Sequence, residues 1–334
     1  MKKTISLVMA VLLSTASVFA MGTQDQVKAD DGKFAWIRSS EDGVLPGVDA
    51  LKVTGDIITA GSSTVFPLSE AMAERFKDEG YAFNITVDSI GSGAGFERFT
   101  VAGETDIANA SRPIKDKERV AAKEIGRDPI EFRVGTDALA VTTAKSNTFV
   151  KNVTMEELAK IFTSEKWSDV RSEWPNERIL KFIPGTDSGT FDYFVEEVYV
   201  KDATALLGTS DLQMSEDDNI LVQGISESPY GIGFFGYAYY VENKSVLNIL
   251  DIEGVTPNKE NVDAAKYPLA RPLFIYSDAR IMNNKPQVAA FIAYYLTYVK
   301  EEITRVGYFP ANDSVINAGK QAWLNAVKDE RRDS

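Results

Sequence analysis

The chain has 334 residues with 49 acidic against 36 basic side chains, a formal charge of −13, and neither cysteine nor histidine. Disulfides, thiolate metal sites, an acylated cysteine, histidine-ligated zinc and Ser-His-Asp or Cys-His nucleophile systems are therefore excluded. The acidic balance argues against nucleic acid and an anionic membrane surface as partners. It does not argue against a small anion in a closed cleft, because surface charges beyond about 8 Å are largely screened.

Residues 1–20 have the pattern of an export signal: Lys2 and Lys3, an apolar run from Ile5 to Leu13, and Val18-Phe19-Ala20 before a cut ahead of Met21. No later stretch approaches the roughly 20 apolar residues of a transmembrane helix. The expectation is a soluble exported protein, and without a cysteine to acylate, one in a bacterial periplasm. From Met21 to about Lys52 the chain is mixed and polar and predicts a partly ordered leader.

From Val53 onward short strands alternate with amphipathic helices, the signature of an α/β fold with a mostly parallel sheet. The first strand is Ile57–Ala60, followed by a helix over Pro67–Asp78 whose proline sits where its missing N–H costs nothing. A strand over Asn84–Ile90 precedes a short helix carrying Phe96 and Phe99, and a third strand spans Asp106–Ala110. A charged surface helix over Lys115–Ile125 leads to two apolar strands, Ile130–Val134 and Ala138–Thr142, which flank Gly135-Thr136-Asp137. In the second half Thr154 and Glu157 form a capping box, Ile179–Ile183 is a strand, and Phe191–Val200 is a helix. Gly231–Gly236 reads as a buried strand and Pro272–Tyr276 as another, with helices near Lys285–Val299 and Asn312–Val327. The length exceeds what one core supports, so two lobes are expected, and no Gly/Ser or Pro-rich linker separates them. Strands that cross between the lobes are the natural join. The expected division is 53–138 and 271–334 in lobe I, 139–270 in lobe II.

Three Gly/Ser/Thr phrases stand where a strand ends and a helix begins: Gly61-Ser62-Ser63-Thr64, Gly91-Ser92-Gly93-Ala94-Gly95 and Asp187-Ser188-Gly189-Thr190. Each would leave backbone N–H groups and a hydroxyl at a helix N-terminus, where the macrodipole amounts to about half a positive charge. That is the chemistry of an anion site. An N-cap is the ordinary role of one such phrase; three on one chain, with Arg112 near by, point to a shared oxyanion.

In their order and combination, Ala60-Gly-Ser-Ser-Thr-Val-Phe-Pro-Leu68, Gly91–Gly95, Thr105-Asp-Ile-Ala-Asn-Ala-Ser-Arg-Pro-Ile-Lys115, Gly185-Thr-Asp-Ser-Gly-Thr-Phe-Asp192 and Tyr230-Gly-Ile-Gly-Phe-Phe-Gly236 resemble the periplasmic phosphate-binding proteins of bacterial phosphate ABC transporters. The resemblance covers about residues 54–316. It implies a two-lobe α/β receptor of the type II solute-binding fold, a monomer without cofactor, that holds phosphate between the lobes and delivers it to permease subunits. Carried over by position, Ser63, Thr64 and N–H groups near Val65 and Phe66 would hold the anion from one lobe. Ser92 would cap the second loop, and Ser188, Gly189 and Thr190 would close from the other lobe. In the best-known branch an aspartate stands where this chain has Arg112, and an arginine stands four residues before the loop serine, where this chain has Pro184. The cation is then expected at Arg112. Asp137 is the expected replacement for the carboxylate that accepts the proton phosphate keeps and sulfate lacks.

Other roles compete. Arg112 reads equally as a surface arginine at a strand end, Asp137 as a turn cap, and Asp187 as a turn residue rather than a ligand. Sulfate or another tetrahedral oxyanion is the rival ligand. An exported phosphate-ester hydrolase is the rival of another class, but no Ser-x-x-Lys stands at a helix start and no base lies near Ser63 or Thr64 in sequence.

Overall fold

The computed structural model describes residues 34–39, 43–186 and 188–327. The expected export signal and Asp187 lie outside them. The strands that position the site are β1 (Ile57–Gly61), β2 (Ile85–Ser89), β3 (Ile107–Ala110), β4 (Pro129–Ala144), β5 (Leu180–Pro184), β6 (Leu212–Ser215), β7 (Gly231–Gly236) and β8 (Ala270–Asp278). They run through one sheet in the order β2-β1-β3-β8-β4-β7-β5-β6. Neighbours β1, β2 and β3 pair in parallel, as do β5, β6 and β7. Between these groups β4 and β8 run antiparallel to each other.

The two expected strands 130–134 and 138–142 are one strand of 16 residues, β4. Gly135-Thr136-Asp137 has turn composition, yet each of these residues is paired: Leu273 faces Gly135, Pro272 faces Thr136, and Arg271 faces Asp137. Tertiary pairing has overridden local preference. The first half of β4 pairs with β8 and its second half with β7, from Leu139↔Gly236 to Thr143↔Ile232. A single strand therefore threads both halves of the molecule.

Two hydrophobic cores sit on either side of that crossing. One reaches Val134 on β4 and resumes at Leu273; the other spans Ala138 to Leu269. Gly135, Thr136, Asp137, Arg271 and Pro272 belong to neither core, and form a narrow waist between them. Against the first core pack α1 (Phe66–Asp78) and the helices Pro286–Val306 and Asp313–Ala326, whose apolar faces are buried at helical spacing. In the second core Phe162 and Phe194 meet Phe234 of β7, Phe194 stacking at 3.8 Å between centroids.

The stretch expected as a loosely ordered leader is folded where it is described. Ile37–Arg38 pairs with Gly47–Val48, and Phe34, Trp36, Leu45 and Val48 are buried in the first core. Trp36 packs edge-on against Trp323 at 6.3 Å. Its polar average had hidden these anchors.

Gly135 is where the crossing strand passes closest to its neighbours. A Cβ there would lie 2.0 Å from Ile303 Cδ1 and 2.7 Å from the Phe309 carbonyl oxygen. Because one of those atoms is backbone, the strain cannot be relieved by a rotamer change alone. Gly135→Ala is expected to lower the unfolding free energy by about 1–3 kcal/mol, read as a lower urea midpoint at unchanged slope.

Candidate functional site

The loop after β1 is a tight turn built on Ser62. Its carbonyl accepts from the N–H groups of Val65 and Phe66 at 3.1 and 3.0 Å, so these donors are spent inside the turn. The Val65 N–H expected to face an anion is thus occupied within the turn. Among the described residues the N–H groups of Ser63 and Thr64 have no acceptor, and the buried Thr64 Oγ1 has no partner. Val65 itself is fully buried.

The facing loop opens helix α5 (Gly189–Val198). Ser188 caps it, its Oγ accepting from Thr190 N–H at 3.2 Å. Among the described residues the Gly189 N–H has no acceptor, and it stands in the first turn, where the helix dipole is positive. The two loops touch: a Cβ on Gly189 would come within 3.0 Å of the Ser63 carbonyl carbon and of Thr64 N. Ser63 Oγ also donates across the cleft to Asp192 Oδ2 at 3.3 Å. Donors from Ser63, Thr64 and Gly189 are thus gathered from both halves of the molecule, while the Thr190 N–H is spent on the Ser188 cap.

Beneath them lies the waist. Arg271 of β8 donates from Nε to Asp137 Oδ2 at 3.3 Å and from Nη2 to the Gly189 carbonyl at 2.9 Å. Its guanidinium carbon lies over the Tyr193 ring, 3.8 Å from the centroid. Side-chain exposure is 8% for Arg271 and 1% for Asp137, so the pair is held away from water. Among the described residues Asp137 Oδ1 is buried without a partner, and besides Arg271 only the adjacent Ala138 N–H favours the ionised carboxyl. Burial pushes the Asp137 carboxyl above its ordinary value, and the adjacent Arg271 charge opposes that rise without cancelling it. Arg271 and Asp137 meet because they are register partners on the two antiparallel strands.

Two expected ligands are placed differently. Arg112 does line the cleft, but both arms of its fork are taken by Glu118, Nη1 to Oε2 at 2.9 Å and Nη2 to Oε1 at 2.7 Å. It also packs 4.9 Å from the Phe96 ring centroid. Burial works against ionised Glu118, yet Arg112 and the Lys115 N–H hold its carboxyl below the ordinary range. Arg112 is a bidentate partner, of a carboxylate of its own chain. Ser92 does not cap its helix α2 (Ser92–Glu97); Ser92 Oγ accepts from Ser111 N–H at 3.1 Å and so ties the second loop to the end of β3.

Residues 48–298 match the model of the PBP superfamily domain. The phosphate-binding protein PstS of Staphylococcus saprophyticus is 34% identical over 255 residues, 74% of this chain and 78% of that protein. The chain belongs to the phosphate-binding proteins of the PBP superfamily. Protein SphX of Synechococcus elongatus is 45% identical over 280 residues, covering 80% of this chain and 81% of its own length. Among solved structures, a possible phosphate binding protein from Planctomyces limnophilus superposes with a TM-score of 0.77 at 39% identity, over 83% of this chain and all of that one. The architecture is the two-lobe type II periplasmic binding fold. It is shared with an ABC-type phosphate transport receptor from Vibrio cholerae at 22% identity and a TM-score of 0.59.

The buried cation that reaches the second loop, Arg271, stands on a crossing strand. Sequence reading missed Arg271 because an arginine ahead of proline at a strand start looks like a surface residue. One signal was available, that Arg271 interrupts the otherwise apolar run Leu269-Ala270-Arg271-Pro272-Leu273. A buried cation inside such a run needs a buried carboxylate, and Asp137 was the unexplained one.

The raised carboxyl value has a stability consequence. Asp137 contributes fully below the ordinary carboxylate value of about 3.9, and that contribution is lost as pH rises through the higher folded value. Ligand-free Asp137→Asn is therefore expected to melt no lower than the parent at pH 7, with the difference shrinking as pH falls towards 4. Thermal melts of both proteins across that range check it.

Proposed function

We propose that the protein binds inorganic phosphate between its lobes in the periplasm and delivers it, as a monomer, to the permease of an ABC importer. The lobes divide near residues 138 and 270, and the anion lies over the Arg271–Asp137 pair. The observation that carries this reading is that loops with unspent donors meet at Gly189, whose carbonyl accepts from Arg271, itself the partner of a buried carboxylate with one unpartnered oxygen. N–H groups of Ser63, Thr64 and Gly189 and the Thr64 hydroxyl surround a place floored by the Arg271 guanidinium. An oxyanion satisfies all of them at once.

The unpartnered Asp137 Oδ1 supports phosphate over sulfate. Phosphate keeps a proton at neutral pH and can donate it to a carboxylate oxygen. Sulfate offers only lone pairs, and a buried unpaired charge is destabilising by several kcal/mol. Ser188 acts as the cap that presents Gly189 and Thr190. Arg112 and Ser92 support the second loop from beside the anion. The reading is of a receptor rather than an enzyme, and it is the family membership that supports it.

Calorimetric titration of ligand-stripped protein with phosphate and then sulfate tests the assignment. Phosphate should bind and sulfate give no heat. Arg271→Gln should weaken phosphate by tenfold or more, since hydrogen bonds to charged groups contribute about 1.5–3 kcal/mol. Arg112→Gln should change it by less than about threefold, as expected for a mostly surface pair. Asp137→Asn should admit sulfate; unchanged rejection of sulfate by that variant would contradict the role given to the carboxylate.

A further inference from the structure

Behind the loop that follows β1 lies a buried chain of polar groups to which the phosphate reading gives no role. Asn109, on β3, holds that loop at two points. Its carbonyl accepts from the Ser62 N–H at 2.9 Å, and its side-chain Oδ1 accepts from Ser69 Oγ, near the start of α1, at 3.2 Å. Ser69 Oγ lies in turn 3.3 Å from the hydroxyl of Tyr295, on the helix Pro286–Val306. Ser69, Asn109 and Tyr295 are each 1% exposed, so the chain is closed to bulk water.

Counting hydrogens fixes the direction of the chain. A serine hydroxyl has one to give, and Ser69 spends it on Asn109 Oδ1, so Tyr295 is the donor to Ser69. Burial raises the Tyr295 phenol above its ordinary value and keeps that proton in place. With its oxygen turned to Ser69, the Asn109 carboxamide has Nδ2 left over, and among the described residues this buried donor has no acceptor. Thr64 lies between Ser62 and Ser69, the two points that Asn109 holds, and its Oγ1 is the other buried side-chain atom at this loop without a partner. A buried polar group left unpaired carries its full desolvation penalty. Here two complementary ones, an amide donor and a hydroxyl, stand at the same loop.

On the basis of the phosphate reading, we propose that Asn109 is a positioning residue for the anion: its Nδ2 donates to Thr64 Oγ1, and the Thr64 hydroxyl donates to an anion oxygen. The two side chains are not hydrogen-bonded in this structure, and anion binding is the step that joins them. An anion claims the single Thr64 hydrogen, which leaves the lone pairs of Oγ1 for the amide. The relay then runs from Tyr295 through Ser69, Asn109 and Thr64 to the anion. Hydrogen bonds in such a chain polarise one another, so the last contact gains from the links behind it.

The test is a double-mutant cycle read by calorimetric titration of ligand-stripped protein with inorganic phosphate. Asn109→Leu, close to asparagine in shape, should weaken phosphate by about threefold to tenfold, the range of a single net hydrogen bond. In a Thr64→Val background, which keeps the N–H donors of the loop, the same change should alter affinity by less than about twofold. Ser69→Ala should cost about twofold to fivefold, again only where the Thr64 hydroxyl is present, and Ser69→Thr should restore the loss. Thermal melts confirm that each variant is folded. Should Asn109→Leu fail to fold, the Ser69 variants decide by the same cycle. Undiminished phosphate affinity in Asn109→Leu and Ser69→Ala overturns the proposal and leaves the phosphate reading intact. An equal loss with and without the Thr64 hydroxyl does so too, since a merely structural role for Asn109 gives that result. Failure of phosphate to bind the parent protein overturns both.

Discussion

The buried pair of Arg271 and Asp137 is the constraint around which the two halves of this protein are arranged. Two ionic groups taken out of water cost several kcal/mol each, and their mutual attraction offsets this only with good geometry and additional hydrogen bonds. Here Arg271 finds Asp137 on the neighbouring strand, the Gly189 carbonyl on the opposing loop and the face of Tyr193 below it. Asp137 remains half-satisfied, with one oxygen bonded and one not. A site left in that condition is strained towards neutrality, as the raised carboxyl value records. In the proposed reading, a ligand carrying both charge and a proton relieves it.

The rest of the fold supplies what that pair lacks. One continuous strand, β4, carries Asp137 through the waist, and the antiparallel β8 brings Arg271 opposite to it. Because the waist belongs to neither hydrophobic core, it is the place where the two halves can adjust without unpacking either. The loops after β1 and β5 then add neutral donors from opposite sides, and the start of α5 adds its dipole. In the proposed reading, neutral donors and one guanidinium bind an anion inside a protein whose overall charge is −13, because the field within the cleft is set by its nearest groups.

How much of this was legible in the sequence depended on how local the cause was. The loops at Ser63–Thr64 and Ser188–Thr190 were readable because a Gly/Ser/Thr phrase before an apolar periodic run has a short-range meaning. The Thr154–Glu157 capping box was readable for the same reason, and it is present. Arg112 was favoured by proximity in sequence, whereas in the fold Glu118, six residues on, claims both arms of its fork. Gly135-Thr136-Asp137 looked like a turn, and only pairing with a strand more than 130 residues away makes it extended. Arg271 owes its role to the same long-range pairing, so nothing within its own neighbourhood could assign it a partner.

The most direct test of this account is a crystal structure of the protein grown with phosphate. The account predicts an anion whose oxygens lie within hydrogen-bond distance of the Arg271 guanidinium, of the Ser63, Thr64 and Gly189 N–H groups and of Asp137 Oδ1, with Arg112 still paired to Glu118. A bound phosphate held by Arg112 swung away from Glu118, with Arg271 and Asp137 taking no part, would contradict it.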